Sequence, residues 1–363
     1  MFTNPGEKLT ITALLVVIFL FISPLTFSQE HHHADKKDVE ELEYNAGEMI
    51  VEHISDAYEW HILTWNDTHL SIYLPVILYD KGKWHVFSSK HLHHGEAEYE
   101  GYHVAKEGFN QGKLVRMENG EEVRPDYDIS ITKNVLAIMI SSLFLIWLFI
   151  SIANAYKKRK GHAPKGVQSL MEPLVLFVRD DIAKASIGPK YEKYTPYLLT
   201  IFFFIFFNNL LGIVPFFPGG ANVTGNIGVT GVMAAFTFII TTVSGNKNYW
   251  MHIFNMPGVP WWLKIPVPLM PIVELMGVFT KPFVLMVRLF ANISAGHIII
   301  LGFVSLIFIF GQIHVAAGYG VSVVSVAFGV FMDMLELLVA FIQAYVFTIL
   351  SALYFGMAIE EEH

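Results

Sequence analysis

Apolar residues in this chain gather into long runs, and one polar region of about a hundred residues breaks the pattern near the start. Ile129–Tyr156 holds about 20 apolar residues, enough to cross a hydrocarbon core roughly 30 Å thick. It ends in Lys157-Lys158-Arg159-Lys160, a basic cluster of the kind that marks cytoplasmic loops. Tyr197–Phe217 and Ile227–Val243 predict two more spans, joined by the Pro/Gly-rich turn Pro215–Gly225. Pro257–Pro271 introduces a fourth apolar segment, roughly Ile272–Phe310. A Gly-containing break over Gly311–Gly320 leads to a fifth, roughly Val321–Ala358. The last two hold about 38 residues each, or about 57 Å as helix, too long for an upright span, so they are expected to tilt strongly or break. In Gly166–Ile187, Val167, Leu170, Leu174, Val178 and Ile182 recur at helical spacing. Glu172, Arg179, Asp180, Asp181 and Lys184 take other positions. That predicts an amphipathic helix, lying on the cytoplasmic membrane surface or packed on partner subunits.

The remaining third is different. Residues 1–28 read as a signal sequence or an uncleaved anchor: a short region ending at Lys8, the apolar run Ile11–Ile22, Pro24 and a small-residue site near Ser28. Residues 29–130 are polar and rich in histidine, with a disordered start expected over His31–Lys37. Tyr73–Tyr79 and Trp84–Ser88 flank Asp80-Lys81-Gly82-Lys83, which predicts a small hairpin. The expected architecture is an all-α integral membrane protein of five spans, two of them long and tilted, with one surface helix. A small exoplasmic region with some β structure precedes the channel domain of residues 131–363. Counting crossings from an exported start puts the C-terminus inside.

Composition narrows the function classes. The chain is 53% hydrophobic and only 15% charged, where an ordinary globular chain is nearer a quarter charged. It has no cysteine, which removes disulfides, thiolate metal sites and cysteine nucleophiles. No basic stripe beyond Lys157–Lys160 supports nucleic-acid binding. Neither a phosphate-binding Gly-rich loop nor a His-Glu-x-x-His sequence is present, so no enzyme motif and no cofactor site is expected.

The chemistry-bearing residues lie in the last two apolar segments. Arg288 is the only permanent charge between Pro282 and Met332. A guanidinium at membrane depth costs about 2.5–3.5 kcal/mol on insertion scales and cannot shed its proton to escape that cost. Glu274 and Lys281 precede it at intervals of seven, close to one helical stripe, and Ala291, Ala295 and Gly302 continue that stripe. Small residues there let another helix approach closely. His297 is nine residues on, about 180° away, and is expected to point at the neighbouring last helix. On that helix Asp333, Glu336 and Gln343 share one face. An imidazole beside a buried carboxylate is a ready proton relay. His297, Glu336, Gln343 and Asn292 are therefore expected to line a hydrated proton path, although any one of them alone is equally a helix–helix hydrogen-bonding group.

Three stretches resemble subunit a of the F-type ATP synthase: Phe207-Asn208-Asn209-Leu-Leu-Gly-Ile-Val-Pro215, Arg288-Leu-Phe-Ala-Asn292-Ile-Ser-Ala-Gly-His297 and Leu335-Glu336-Leu-Leu-Val-Ala-Phe-Ile-Gln343-Ala-Tyr-Val-Phe347. Glu274, fourteen before the arginine, belongs to the same set. The resemblance covers roughly Leu136–Ala358 and leaves residues 1–130 unexplained. It implies a proton inlet half-channel from the exoplasmic side lined by Asn292, His297, Glu336 and Glu274, with Asp333, Lys281, Asn208 and Asn209 as further candidates. Protons pass to a carboxylate on a rotating ring of subunit c and leave by a second half-channel to the cytoplasm. Arg288 sits between the half-channels; its charge favours the ionised ring carboxylate and so proton release. In much of the bacterial family the residues at 297 and 336 resemble Glu and His. Here they are exchanged, as in mitochondrial relatives, which keeps one imidazole and one carboxylate. A His-containing path favours protons over sodium.

The resemblance further implies the subunit c ring, the subunit b stalk and, through them, the catalytic head as partners, in a bacterial cytoplasmic membrane. Any ATP chemistry belongs to those partners. The competing readings are a secondary transporter with Arg288 binding an anion, which predicts repeated halves that are not seen, and a metal transporter drawing on His31–His33 and His91-Leu92-His93-His94.

Overall fold

The structure is a computed structural model that describes residues 45–65, 68–106, 108–214, 217–254 and 269–360. The expected signal sequence, the His31–Lys37 stretch and most of Pro257–Pro271 lie outside the described residues. Helix α1 (Ala46–Ile54) comes first and packs against the penultimate long helix described below. Strands β1 (Glu59–Trp65) and β2 (Thr68–Tyr73) pair antiparallel. Strand β3 (Pro75–Asp80) lies between β4 (Lys83–Ser88) and a short β8 (Tyr127–Asp128). Strands β5 (Tyr102–Val104), β6 (Leu114–Glu118) and β7 (Glu121–Val123) form a third sheet. The predicted hairpin is present. Asp80 faces Lys83 across the turn, and Lys81 and Gly82 both have positive φ, 48° and 80°, the two-residue geometry that matches strand twist.

The inward face of β3 carries Val76, Leu78 and Asp80, buried with Tyr58, Phe87, Leu92, Tyr102 and Leu114. A carboxylate there needs partners. The Tyr102 hydroxyl donates to Asp80 Oδ2 at 2.7 Å, and Arg116 forms an ion pair with Asp80. Burial pushes the Asp80 carboxyl up, but Tyr102 and Arg116 outweigh it and hold it below the usual range. Tyr102 in turn is pushed up to about 12 by burial and by Asp80.

The strand-to-membrane transition is capped. Thr132 Oγ1 accepts from Val135 N and donates to Asp56 Oδ2 at 2.8 Å, which fixes the start of α2 (Lys133–Lys158) against the α1–β1 connection. Helix α3 (Val167–Leu176) continues through the π-helical stretch Phe177–Lys184 and a short α-helical turn, Ala185–Ile187, to a corner at Gly188, after which α4 (Tyr191–Ile213) begins. Helices α5 (Ile227–Ser244), α6 (Lys247–Phe254), α7 (Leu269–Ile313) and α8 (Val315–Ile359) follow. Five helical runs among the described residues are long and apolar enough to cross a membrane.

Two expectations are refined. The amphipathic helix over Gly166–Ile187 exists, but Val178, Ile182 and Ala183 are buried against α4 and α8, while Val167 and Leu170 stay exposed. A Cβ on Gly356 of α8 would lie 2.2 Å from Ser186 O, so this contact requires glycine. The break expected over Gly311–Gly320 shrinks to one extended residue, His314, whose Nδ1 accepts from Ala316 N. Those glycines serve closeness instead: a Cβ on Gly318 would lie 2.9 Å from Gly311 Cα, so α7 and α8 meet backbone to backbone at their turn. Each helix therefore reaches 45 residues, about 68 Å, and must tilt strongly to fit a bilayer.

The membrane core packs Leu198, Phe202, Phe203 and Ile205 of α4 against Ala344, Phe347 and Phe355 of α8 and Leu285, Leu289 and Ile293 of α7. At one end, Trp60 and Ile72 pack with Ala137, Ala221 and Val223, which seats the β1–β2 hairpin on α2 and the α4–α5 loop. At the other end, Asn246 N donates to Ala358 O and its side chain to Glu360 O, tying the α5–α6 corner to the end of α8.

Candidate functional site

Helix α7 divides its faces sharply at mid-length. Leu285, Leu289 and Ile293, four apart, are buried in the core. Arg288, Ala291, Asn292 and Ala295 lie on the exposed side, and the neighbourhood of Gly302 is open. The cation thus stands on a face of small residues that nothing described in this chain covers.

His297 points the other way, as its spacing predicts. Its Nδ1 lies 2.8 Å from Glu336 Oε1 on α8, and both side chains are largely buried. The residue before it makes room: a Cβ on Gly296 would sit 3.1 Å from Glu336 Oε1. The Nε2 side of the ring faces α4, 3.7 Å from where a Cβ on Gly212 would sit. Gln343 is buried two turns beyond Glu336, and Asp333, one turn before it, is half-buried.

The paired asparagines knit α4 into this region. Asn209 Nδ2 donates to Ala340 O of α8 at 3.3 Å, and Thr224 Oγ1 donates to Asn209 Oδ1 at 2.6 Å. Asn208 Nδ2 donates one turn back to Phe204 O, and its buried Oδ1 has no protein partner. The α4–α5 loop adds Asn222, buried with neither side-chain polar atom paired within the chain, and Gly225 O, which accepts from Ser294 Oγ. Beside His297 and Glu336, this is a polar end of the bundle under the β1–β2 hairpin.

A second polar region occupies the other half. Lys281 Nζ lies 5.6 Å over the Tyr354 ring. Lys281 and Tyr354, with Thr237, Thr241 and Tyr249, line a cavity of about 20 Å³, room for one water. Tyr197 and Thr237 hydroxyls are 2.8 Å apart and Thr237 and Ser351 3.3 Å, joining α4, α5 and α8.

The structure thus joins His297 to Glu336, with Gln343 buried on the same helix, and gives Lys281 an aromatic neighbour. Asn292 is not brought to them; it stays on the Arg288 face. Glu274 and His297 stand far apart along the same helix. On one continuous α7, Glu274 lies about 21 Å before Arg288 and His297 about 14 Å after it, on opposite sides of the cation. Sequence reasoning missed Asn222, Thr224, Ser294 and the Tyr197–Thr237–Ser351 hydroxyls. Isolated hydroxyls in helices usually bond their own backbone, so nothing in their spacing singled them out. Gly296, directly before His297, was a legible signal. His91, part of the metal-transporter reading, stacks on Tyr99, and among the described residues no three candidate ligands are placed to hold a metal.

Comparison with known proteins decides between the readings. The sequence model described as ATP synthase A chain matches residues 135–356, the whole of the region just described. The chain belongs to the ATP synthase A chain family. It is similar to the ATP synthase subunit a of Chloroherpeton thalassium, 46% identical over 243 residues that cover 65% of this chain and 68% of the relative. The Myxococcus xanthus ATP synthase subunit a is 43% identical over 258 residues, 68% of this chain and 80% of the relative. The Chlorobaculum tepidum ATP synthase subunit a 2 is 47% identical over 238 residues, 64% of each. A second family model, a domain of unknown function, matches residues 49–136. As a member of the ATP synthase A chain family, the chain is a multi-pass membrane subunit without catalysis of its own, serving proton translocation in the membrane sector.

Proposed function

We propose that the chain forms two aqueous half-channels against a rotating ring of subunit c, separated by Arg288. The observation that carries this is the pairing of His297 with Glu336 at 2.8 Å, in the same bundle as an uncovered arginine face. A buried imidazole and carboxylate in contact form a relay, because one can donate the proton that the other accepts. The inlet runs through the polar end of the bundle, past Asn222, Asn208 and Asn209, to His297 and Glu336. Gln343 and Asn292 lie beyond, toward the ring, and Asp333 is an outer carboxylate one turn before Glu336.

The ring docks on the face of Arg288, Ala291, Asn292 and Ala295, where small side chains let a helix approach and slide. Arg288 favours the ionised form of each arriving ring carboxylate and repels protons that would cross directly. On its other side the outlet leads past Lys281, the cavity it shares with Thr237, Thr241 and Tyr249, and Glu274. The Lys157–Lys160 cluster supports a cytoplasmic position for that side, with residues 45–130 and the α7–α8 turn outside. Subunit b holds the chain still against the ring and links it to the catalytic head.

The test is an exchange. Glu336→Gln and His297→Ala each lower ATP-driven proton pumping at least about tenfold, the usual scale for loss of a positioned proton-transfer group. The double variant His297→Glu with Glu336→His recovers part of it. A double variant no better than either single would contradict a functional pair.

A further inference from the structure

We propose that the outer face of the β4–β3–β8 sheet is a lipid-binding surface, resting on the headgroup and upper acyl region of the leaflet on its own side of the membrane. The register defines the face. Trp84, Tyr79 and Tyr127 stand side by side across the three strands, with ring centroids 5.0 and 6.2 Å apart. The next row outward-facing along the strands is Val86, Ile77 and Ile129; Ile77 pairs with Val86, and Ile129 N donates to Ile77 O. The opposite face of the same strands is already spent on the small core of Val76, Leu78 and Phe87.

A sheet apolar on both faces needs a second cover. Trp84 is 61%, Val86 64%, Tyr127 65% and Ile129 57% exposed, and contiguous apolar patches of this kind mark interaction sites. Three observations choose lipid as the occupant. First, Ile129 precedes the first residue of α2 by four positions, so it lies within about 14 Å of the membrane span. Second, the exposed apolar surface does not stop there. Val135, Met139, Leu143 and Ile146 form an exposed apolar stripe on α2 and follow the sheet directly in the chain, so exposed apolar side chains run from the sheet into the span. Third, the six side chains carry no charge. Their only polar atoms are an indole N–H and two phenol hydroxyls at ring tips, the chemistry of interfacial aromatic belts. This gives part of residues 49–136, which match a domain of unknown function, a physical role.

The test uses the intact complex in lipid nanodiscs, comparing the native chain with Trp84→Phe so that the difference spectrum isolates Trp84. Trp84 is exposed, so the replacement leaves the sheet's core untouched. Replacing the lipid with one brominated in the upper acyl chain is expected to quench the Trp84 component at least about twofold, as for a ring seated in the aromatic belt, with iodide in the water having little effect. Two results overturn the proposal. Quenching by iodide and not by brominated lipid places the face in water. Quenching by neither places it under a protein, either another subunit or a second copy of this chain.

Discussion

Single atoms decide the behaviour of the central pair. Glu336 is held beside His297 in a slot that exists because residue 296 has no side chain. A methyl group there would stand 3.1 Å from Glu336 Oε1, closer than ordinary contact, and push the carboxylate away from the imidazole. Gly296→Ala is therefore expected to slow proton pumping by about threefold to tenfold, roughly 1 kcal/mol on the barrier, with the complex still assembled. Pumping rates in membrane vesicles check this. The same scale applies in the small domain to Asp80. Its carboxyl titrates below the usual range in the folded chain, because Tyr102 and Arg116 offset the cost of burial. The folded chain thus releases this proton at lower pH than the unfolded chain does. Its stabilisation is complete above about pH 4, the ordinary carboxylate value, and drains away as pH falls through the depressed one. Asp80→Asn removes the charge facing Arg116, which keeps its pair with Glu118 at 2.9 Å, and should cost the domain about 2 kcal/mol, the scale of a charged hydrogen bond, read as faster amide exchange over β3 and β6 in the purified chain. Unchanged exchange would mean that Asp80 contributes nothing.

At the scale of elements, the α7–α8 hairpin sets the position of every residue in the site. Gly318 lies directly against the backbone of Gly311 at the turn, so a larger side chain at 318 must wedge the two helices apart. Gly318→Val is expected to destabilise the hairpin by about 1–3 kcal/mol, as overpacking does in well-packed cores, seen as a lower melting temperature of the complex. Much at this scale was legible in the sequence. The five spans, the Asp80–Lys83 hairpin and the opposition of His297 to Arg288 follow from run length, turn chemistry and helical spacing. What was not legible has physical reasons. Glycine reads as a breaker, yet at 318 it permits contact across helices, which one chain's periodicity cannot reveal. Val178 and Ile182 mark an apolar face equally well for lipid or for protein, and only packing shows that α4 and α8 take it. The resemblance put Glu274 in the inlet; the mechanism proposed above, given one continuous α7, puts it on the outlet side.

Taken whole, the molecule has two polar ends and one charged waist. The proposed inlet residues lie under the β1–β2 hairpin, the Lys281 cavity lies toward the opposite side, and Arg288 stands between them on an open face. Nothing described in this chain covers that face, so the account requires a rotating partner to complete it. In the proposed mechanism, a proton delivered by His297 and Glu336 would meet no barrier to the outlet without the cation. The most direct measurement is ATP-driven acidification of inverted membrane vesicles, native chain against Arg288→Ala, with assembly of the complex checked in the same membranes. The account predicts loss of pumping in a fully assembled complex. Pumping at the native rate would contradict it, because Arg288 would then not separate the two half-channels.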